Sequence, residues 1–293
     1  INVPDDGVHK RRRQVSVSNL ITSFSLSPKG ERALFAARGD IFTTPVERGS
    51  VRNLTMTSNA HDKLPTWSPD GRTIAFVSDR TGEEEVWTIP HDGTSAPVQL
   101  TTGSSAQKYA LDWSADGTKL MFSDSNARLW SLDPASKRLV QIVEARNGLI
   151  FNYGWSPGGN YVAYTMQSPN GMSAVYIWSE ADNRSVRVTP EMFSAASATW
   201  DPSGEYLYFL SAREFAPQIS QSEFNYATNR MTQVYALPLR KEVKHPFPYE
   251  DDQVTILADK ADPTASPTPT PTPSATPSPR PAERIDFDGI VER

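Results

Sequence analysis

One five-residue phrase recurs along the chain, and its spacing restricts the fold more than any other feature. Leu26-Ser27-Pro28-Lys29-Gly30, Trp67-Ser68-Pro69-Asp70-Gly71, Trp113-Ser114-Ala115-Asp116-Gly117, Trp155-Ser156-Pro157-Gly158-Gly159 and Trp200-Asp201-Pro202-Ser203-Gly204 share one grammar: an apolar residue, a short turn, a glycine. The glycines are 41, 46, 42 and 45 residues apart, and five residues after each stands an aromatic: Phe35, Phe76, Phe122, Tyr164 and Phe209. Self-similarity at such a period marks a repeat architecture, in which each unit buries its apolar face against its neighbours.

Each unit can be read physically. Ser-Pro-Asp-Gly sets a tight turn, because proline fixes φ at the first central position and glycine accepts the positive φ that closes the hairpin. Flanking runs such as Arg72–Val77 are short and β-rich. A third run follows in every unit (Ile41–Thr43, Val86–Ile89, Arg128–Leu132, Val175–Trp178, Val234–Leu237). A fourth is expected at Val51–Thr55, Val98–Thr101, Leu139–Val143, Val186–Thr189 and Val254–Leu257. Four antiparallel strands at a period of about 44 residues make an all-β chain of propeller blades. A helical solenoid has similar periods, but no segment carries a sustained 3.6-residue apolar pattern. Trp67, Trp113, Trp155 and Trp200 read as fillers of the space between blades, where burying a large ring contributes roughly 1.5–3 kcal/mol. They are not read as ligand-stacking residues.

Net charge is −5, from 29 basic and 34 acidic residues, which argues against a phosphate-backbone binder. The absence of cysteine excludes disulfides, thiol catalysis and Cys-ligated zinc. No run approaches the ~20 apolar residues of a membrane-spanning helix. Of 24 prolines, 8 fall within Pro263–Pro281, a Pro/Thr/Ser-rich segment expected to form an exposed spacer. As polyproline II it would reach roughly 60 Å at ~3.1 Å per residue.

The string Asn53-Leu54-Thr55, then Pro65 through Arg80 with Trp67-Ser68-Pro69-Asp70-Gly71 inside it, then Gly82 and Val86-Trp87, resembles the TolB-type propeller repeat. The Gly-His and Trp-Asp signature of WD40 repeats is missing, as is the sialidase-type Asp box. A narrower resemblance lies at the edges. Ile21–Phe35 with Ala37–Thr43 is similar to the opening of the second propeller of tricorn-type proteases, and Ile285–Arg293 resembles a segment inside that propeller. In that family a six-bladed and a seven-bladed propeller precede a PDZ domain and a serine-peptidase core of the tail-specific type, and the propellers conduct peptides. The resemblance implies about five blades of an incomplete seven-bladed ring.

Little in the chain invites chemistry. A Ser/His nucleophilic system needs a base within hydrogen-bond reach of the hydroxyl. The four histidines, His9, His61, His91 and His245, all read as loop residues; His61-Asp62 is notable only for lying between blades. No Gly-x-Ser-x-Gly elbow and no phosphate-binding glycine loop occurs. Lys10-Arg11-Arg12-Arg13 reads as a solvated leader. The sequons Asn53-Leu54-Thr55 and Asn183-Arg184-Ser185 are discounted, the first because it occupies a repeated strand position. The irregular stretch Ser211–Met231 is a candidate contact with a neighbouring domain or a substrate path.

The expected organisation is a leader over 1–22, five blades over 23–258, an insertion or linker over 259–284, and the start of a further blade over 285–293. The expected function is a non-catalytic propeller portion of a tricorn-like serine peptidase that gates or guides peptides and scaffolds the protease domains. No catalytic, cofactor-binding or metal-ligating residue is assigned, and binding residues are left open. The expected partners are peptide substrate and the other domains of the parent peptidase, with homo-oligomers allowed and neither nucleic acid nor membrane. The chain reads as a piece of a longer protein, placed in the cytoplasm with an extracytoplasmic site as the alternative. The rival functions are a TolB-like protein-binding propeller outside the cytoplasm and the propeller of a prolyl-oligopeptidase-like enzyme.

Overall fold

The computed structural model describes residues 16–214, 217–219, 226–228, 230–248 and 283–293. The repeat organises them into five antiparallel sheets that succeed one another along the chain. Blade 1 is β1 (Ile21–Leu26), β2 (Arg32–Ala37), β3 (Asp40–Pro45) and β4 (Arg52–Asn53). Blade 2 is β5 (Asp62–Trp67), β6 (Thr73–Ser78), β7 (Glu85–Pro90) and β8 (Val98–Gln99). Blade 3 is β9 (Lys108–Trp113), β10 (Leu120–Asp124), β11 (Arg128–Asp133) and β12 (Arg138–Glu144). Blade 4 is β13 (Tyr153–Trp155), β14 (Tyr161–Gln167), β15 (Ser173–Ser179) and β16 (Arg184–Arg187). Blade 5 pairs β17 (Ala195–Trp200) and β18 (Tyr206–Ser211) with β21 (Gln233–Pro238). The irregular stretch between them carries a two-stranded ribbon, β19 (Pro217–Ile219) with β20 (Tyr226–Thr228). The expected Val254–Leu257 strand, Lys10–Arg13, His9 and the Pro-rich segment lie outside the described residues.

The turn phrase folds as its chemistry dictates. In every unit the glycine N–H closes the turn onto the carbonyl three residues back at 2.8–2.9 Å, and the glycine φ lies between 69° and 75°. The serine hydroxyl stiffens the loop from inside. Ser68 Oγ donates to Asp70 Oδ1 (2.5 Å) and accepts from Thr73 N–H (3.0 Å); Ser114 makes the same pair of bonds with Asp116 (2.6 Å) and Lys119 N–H (3.0 Å).

Burial explains the strand composition. β6 and β10 are buried on both faces, because each second strand lies inside its sheet between two neighbouring blades. Leu34 and Ile41 meet Ile74 and Phe76 across the first seam, and Ala75 and Val77 meet Leu120 and Phe122 across the second. Met121 and Leu129 meet Val162 and Tyr164 across the third, and Val175 and Ile177 meet Leu207 and Phe209 across the fourth. Each tryptophan of the phrase packs in the seam toward the preceding blade. The fourth strands of blades 1 and 2 are shorter than expected, because Thr55 and Thr101 leave the ladder to accept from the Ile41 (3.1 Å) and Val86 (2.9 Å) N–H groups. Thr55 is thus a structural residue of the repeat, as its strand position suggests.

The stretch 285–291 forms no strand. Asp286 N–H makes one bond to the Leu239 carbonyl (2.9 Å), short of the paired ladder a strand needs, and the chain then closes a 3₁₀ turn over Ile290–Glu292. Ile285 and Ile290 instead insert into the seam between blades 4 and 5.

Candidate functional site

The first strands of successive blades lie side by side: β1 against β5, β5 against β9, β9 against β13 and β13 against β17. They therefore form the inner wall of the blade arc. Several of these strands depart from regular pairing. The register shifts between Lys63 and Thr66 and between Ala196 and Thr199, with Leu64 (φ 53°) and Ser197 (φ 57°) in the left-handed region. β9 shifts likewise opposite Met121 and Ser123. Such bulges re-aim side chains and concentrate at sheet edges and beside functional sites.

Across β9, β13 and β17 runs an open groove of about 420 Å³, walled by Asp112, Trp113, Tyr153, Trp155 and Trp200. Local bonds hold these rings. Tyr153 Oη accepts from Ser123 N–H (3.2 Å) and donates to the Ala110 carbonyl in the β9 bulge (2.7 Å). The Trp155 indole donates to the Asp112 carbonyl (3.4 Å), and the Trp200 indole to the Gly154 carbonyl (3.0 Å), so each ring is pinned to the blade before it. The Trp67 and Trp113 indole nitrogens are buried with no partner among the described residues.

Asp112 is the charged member of the groove. Burial pushes its carboxyl up to about 6, against the pull of one backbone N–H, that of Trp155. Tyr153 is the titratable group that faces it, and its hydroxyl is itself raised by burial. A second cavity, of about 230 Å³ between Thr101–Ala106 and blade 3, has different chemistry. There Lys108, 2% exposed, pairs with Glu85 (3.4 Å). Burial draws its pKa down while Glu85 holds it up. Asp124 beside it already accepts from Asn126 N–H, Arg128 N–H and the Trp130 indole. Its acceptors are occupied, and the cluster reads as structural.

The histidines are scattered. The His61 backbone N–H donates to Asp79 (2.6 Å), the His91 ring lies 6.2 Å from the Trp67 ring, and His245 Nδ1 folds back onto Phe247. Among the described residues no three His, Asp or Glu side chains stand together as metal ligands. No helix among them is long and apolar enough to cross a membrane. Asp112 escapes a sequence reading because it lies just before the repeated phrase, with no motif of its own.

Four-stranded blades in series, with an aromatic seam and an inner wall of first strands, define a β-propeller chain of TolB-like repeats. Residues 21–293 match the tricorn protease second beta propeller domain, and the chain belongs to that family. It is 24% identical over 239 residues to the tricorn protease of Thermoplasma volcanium, covering 76% of this chain and 22% of the relative. It is 24% identical over 241 residues to a tricorn protease homolog of Saccharolobus solfataricus, covering 82% of this chain and 21% of the relative. A TolB homolog of Chlorobium luteolum is 30% identical over 152 residues, 51% of this chain and 34% of that one. The crystal structure of the tricorn protease superposes with a TM-score of 0.72 at 17% identity, over 84% of this chain and 24% of that chain, a likeness of fold. The chain thus spans about a fifth of the length of the two tricorn relatives.

Proposed function

We propose that the chain is a non-catalytic propeller portion of a tricorn-like serine peptidase, which guides peptides along its inner wall and holds the protease domains in place. The observation that carries this reading is the groove across β9, β13 and β17, a recess for side chains on the face where first strands converge. The family membership supplies the context: the relatives carry the word protease in their names and are several times longer than this chain. In this reading residues 259–284 are an insertion between blades, 285–293 lead from the seam of blades 4 and 5 toward a further blade of a seven-bladed ring, the other protease domains are partners, and the compartment is the cytoplasm.

The test is direct. The purified chain, incubated with a peptide mixture and with a fluorophosphonate probe, is expected to bind peptides, cleave none and remain unlabelled. Stoichiometric labelling of one serine would overturn the non-catalytic reading, and failure to retain any peptide would overturn the guiding role. The likeness to a TolB homolog favours a second reading, a propeller that binds a folded protein partner outside the cytoplasm.

A further inference from the structure

The groove on the inner wall holds a carboxylate that the fold does not pair. Buried carboxylates are normally matched by a cation or by several hydrogen-bond donors, because desolvating an ion without compensation costs several kcal/mol. Other buried acids of this chain follow that rule: Asp62 pairs with Arg80 at 2.9 Å, and Glu85 accepts from Thr101 and from Ser104 N–H and faces Lys108. Asp112 does not. Burial and a single backbone N–H are the influences on its carboxyl, and no cation stands against it among the described residues.

Its surroundings complete a recognisable chemistry. Tyr153, Trp155 and Trp200 line the same groove, and Tyr153 and the two indoles are fixed by hydrogen bonds to neighbouring strands. Aromatic faces attract a cationic nitrogen, and desolvation strengthens that attraction. A carboxylate with an open oxygen among aromatic rings offers a cation both a charge-assisted hydrogen bond and ring faces. A bare divalent metal lacks further ligands here, since no second acidic or histidine side chain joins Asp112 in the groove.

We propose that this groove binds the cationic nitrogen of an extended peptide, with Asp112 as its anionic anchor and Tyr153, Trp155 and Trp200 as its aromatic walls. The nitrogen is supplied by a lysine side chain or by a peptide amino terminus. The inference deepens the peptide-guiding reading and rests on it: the inner wall would select for positive charge.

The 293-residue chain is titrated by calorimetry with three probes: acetyl-Ala-Ala-Lys-Ala-Ala-amide, its norleucine counterpart, and penta-alanine amide with a free amino terminus. At pH 7.5 a cationic probe is expected to bind about tenfold tighter than the norleucine peptide, the scale of one hydrogen bond to a charged group. Tighter binding of the lysine probe assigns the source to side chains, and of the penta-alanine probe to termini. Asp112→Asn, which keeps the shape and the acceptor for Trp155 N–H, should abolish the preference, while Asp92→Asn in an exposed turn should leave it intact. Lowering the pH to 5 should erode the preference in the wild-type chain, where Asp112 takes up a proton, without unfolding or mutation. Equal binding of cationic and norleucine peptides, or an unchanged preference in Asp112→Asn, would overturn the proposal and leave peptide guiding intact. Absence of binding by every peptide would overturn both.

Discussion

Asp112 sits partly desolvated in the groove wall, and a cost to stability there is open to measurement. A carboxyl raised to about 6 in the native state, against ~3.9 in an unfolded chain, takes up protons on folding between those values. Stability contributed by this site therefore falls as pH rises from about 4 to about 6 and stays low above that. Asp112→Asn removes the penalty. Urea unfolding at pH 7.5 should show the variant more stable by on the order of 2 kcal/mol, with the gain shrinking at pH 4.5. A variant equally stabilised at both pH values, or destabilised, would mean that the carboxylate is held by native partners. Stabilisation paired with loss of cation preference is the pattern of a functional residue, since chains break local rules mainly where a site needs it. The tryptophans serve two ends, since Trp155 and Trp200 fill seams and also line the groove. Their seam-filling role was legible from register alone, whereas the bonds from Trp155 and Trp200 to the preceding blade were not, because each depends on a carbonyl more than 40 positions away.

At the scale of the element, the same turn is built five times with interchangeable parts. Blades 2 and 3 pair a serine hydroxyl with an aspartate two residues on. Blade 5 inverts the order, with Asp201 Oδ2 accepting from Ser203 N–H (3.2 Å) and from its hydroxyl. Blade 4 has Gly158 where an aspartate would stand, and Glu283 brings the missing carboxylate from 127 residues away. Ser156 Oγ donates to Glu283 Oε2 (2.7 Å), and Gly158 N–H points at Oε1 (3.3 Å). A Cβ on Gly158 would meet that carboxylate at 2.5 Å, so any side chain at 158 would push the glutamate from its place. Gly158→Asp should restore the local pair, displace Glu283 and leave blade 4 folded, while 283–293 becomes faster to exchange and easier to cleave. Unchanged protection of 283–293 would mean that Ile285 and Ile290 hold the segment without the carboxylate. The period, the turn chemistry and three strands of every blade could be read from the sequence because they are local. Glu283 could not, since a Pro/Thr/Ser-rich stretch separates it from its partner and no motif marks it. The bulges at Leu64 and Ser197 were hidden for a related reason: neither residue is one that favours the left-handed region.

For the whole molecule, burial is uneven along the arc of blades. Among the described residues blades 2, 3 and 4 have a blade on both faces, whereas the outer blades have one on a single face only, with Phe24 74% and Val234 69% exposed. On blade 1 that face borders an open recess of about 980 Å³ lined by Ile21, Phe35, Phe42, Val51 and Met56. An apolar blade face without a neighbouring blade is what a monomer tends to avoid, so the isolated chain should self-associate or fray from its ends. In repeat proteins stability sums unit and interface terms, and an end unit has one interface where a central one has two. The two ends are not equivalent. Ile285, Phe287 and Ile290 pack into the seam of blades 4 and 5, and Arg293 reaches the Pro238 carbonyl (3.5 Å), so blade 5 is tied from outside its own sheet. Blade 1 has no such tie among the described residues. Amide exchange should be slowest in β10 and β14, faster in β18 and fastest in β2, and Glu283→Ala should narrow the difference between the two ends. A monodisperse monomer with equal protection in all five second strands would mean that five blades close on themselves, and the end-on accounting would then be wrong.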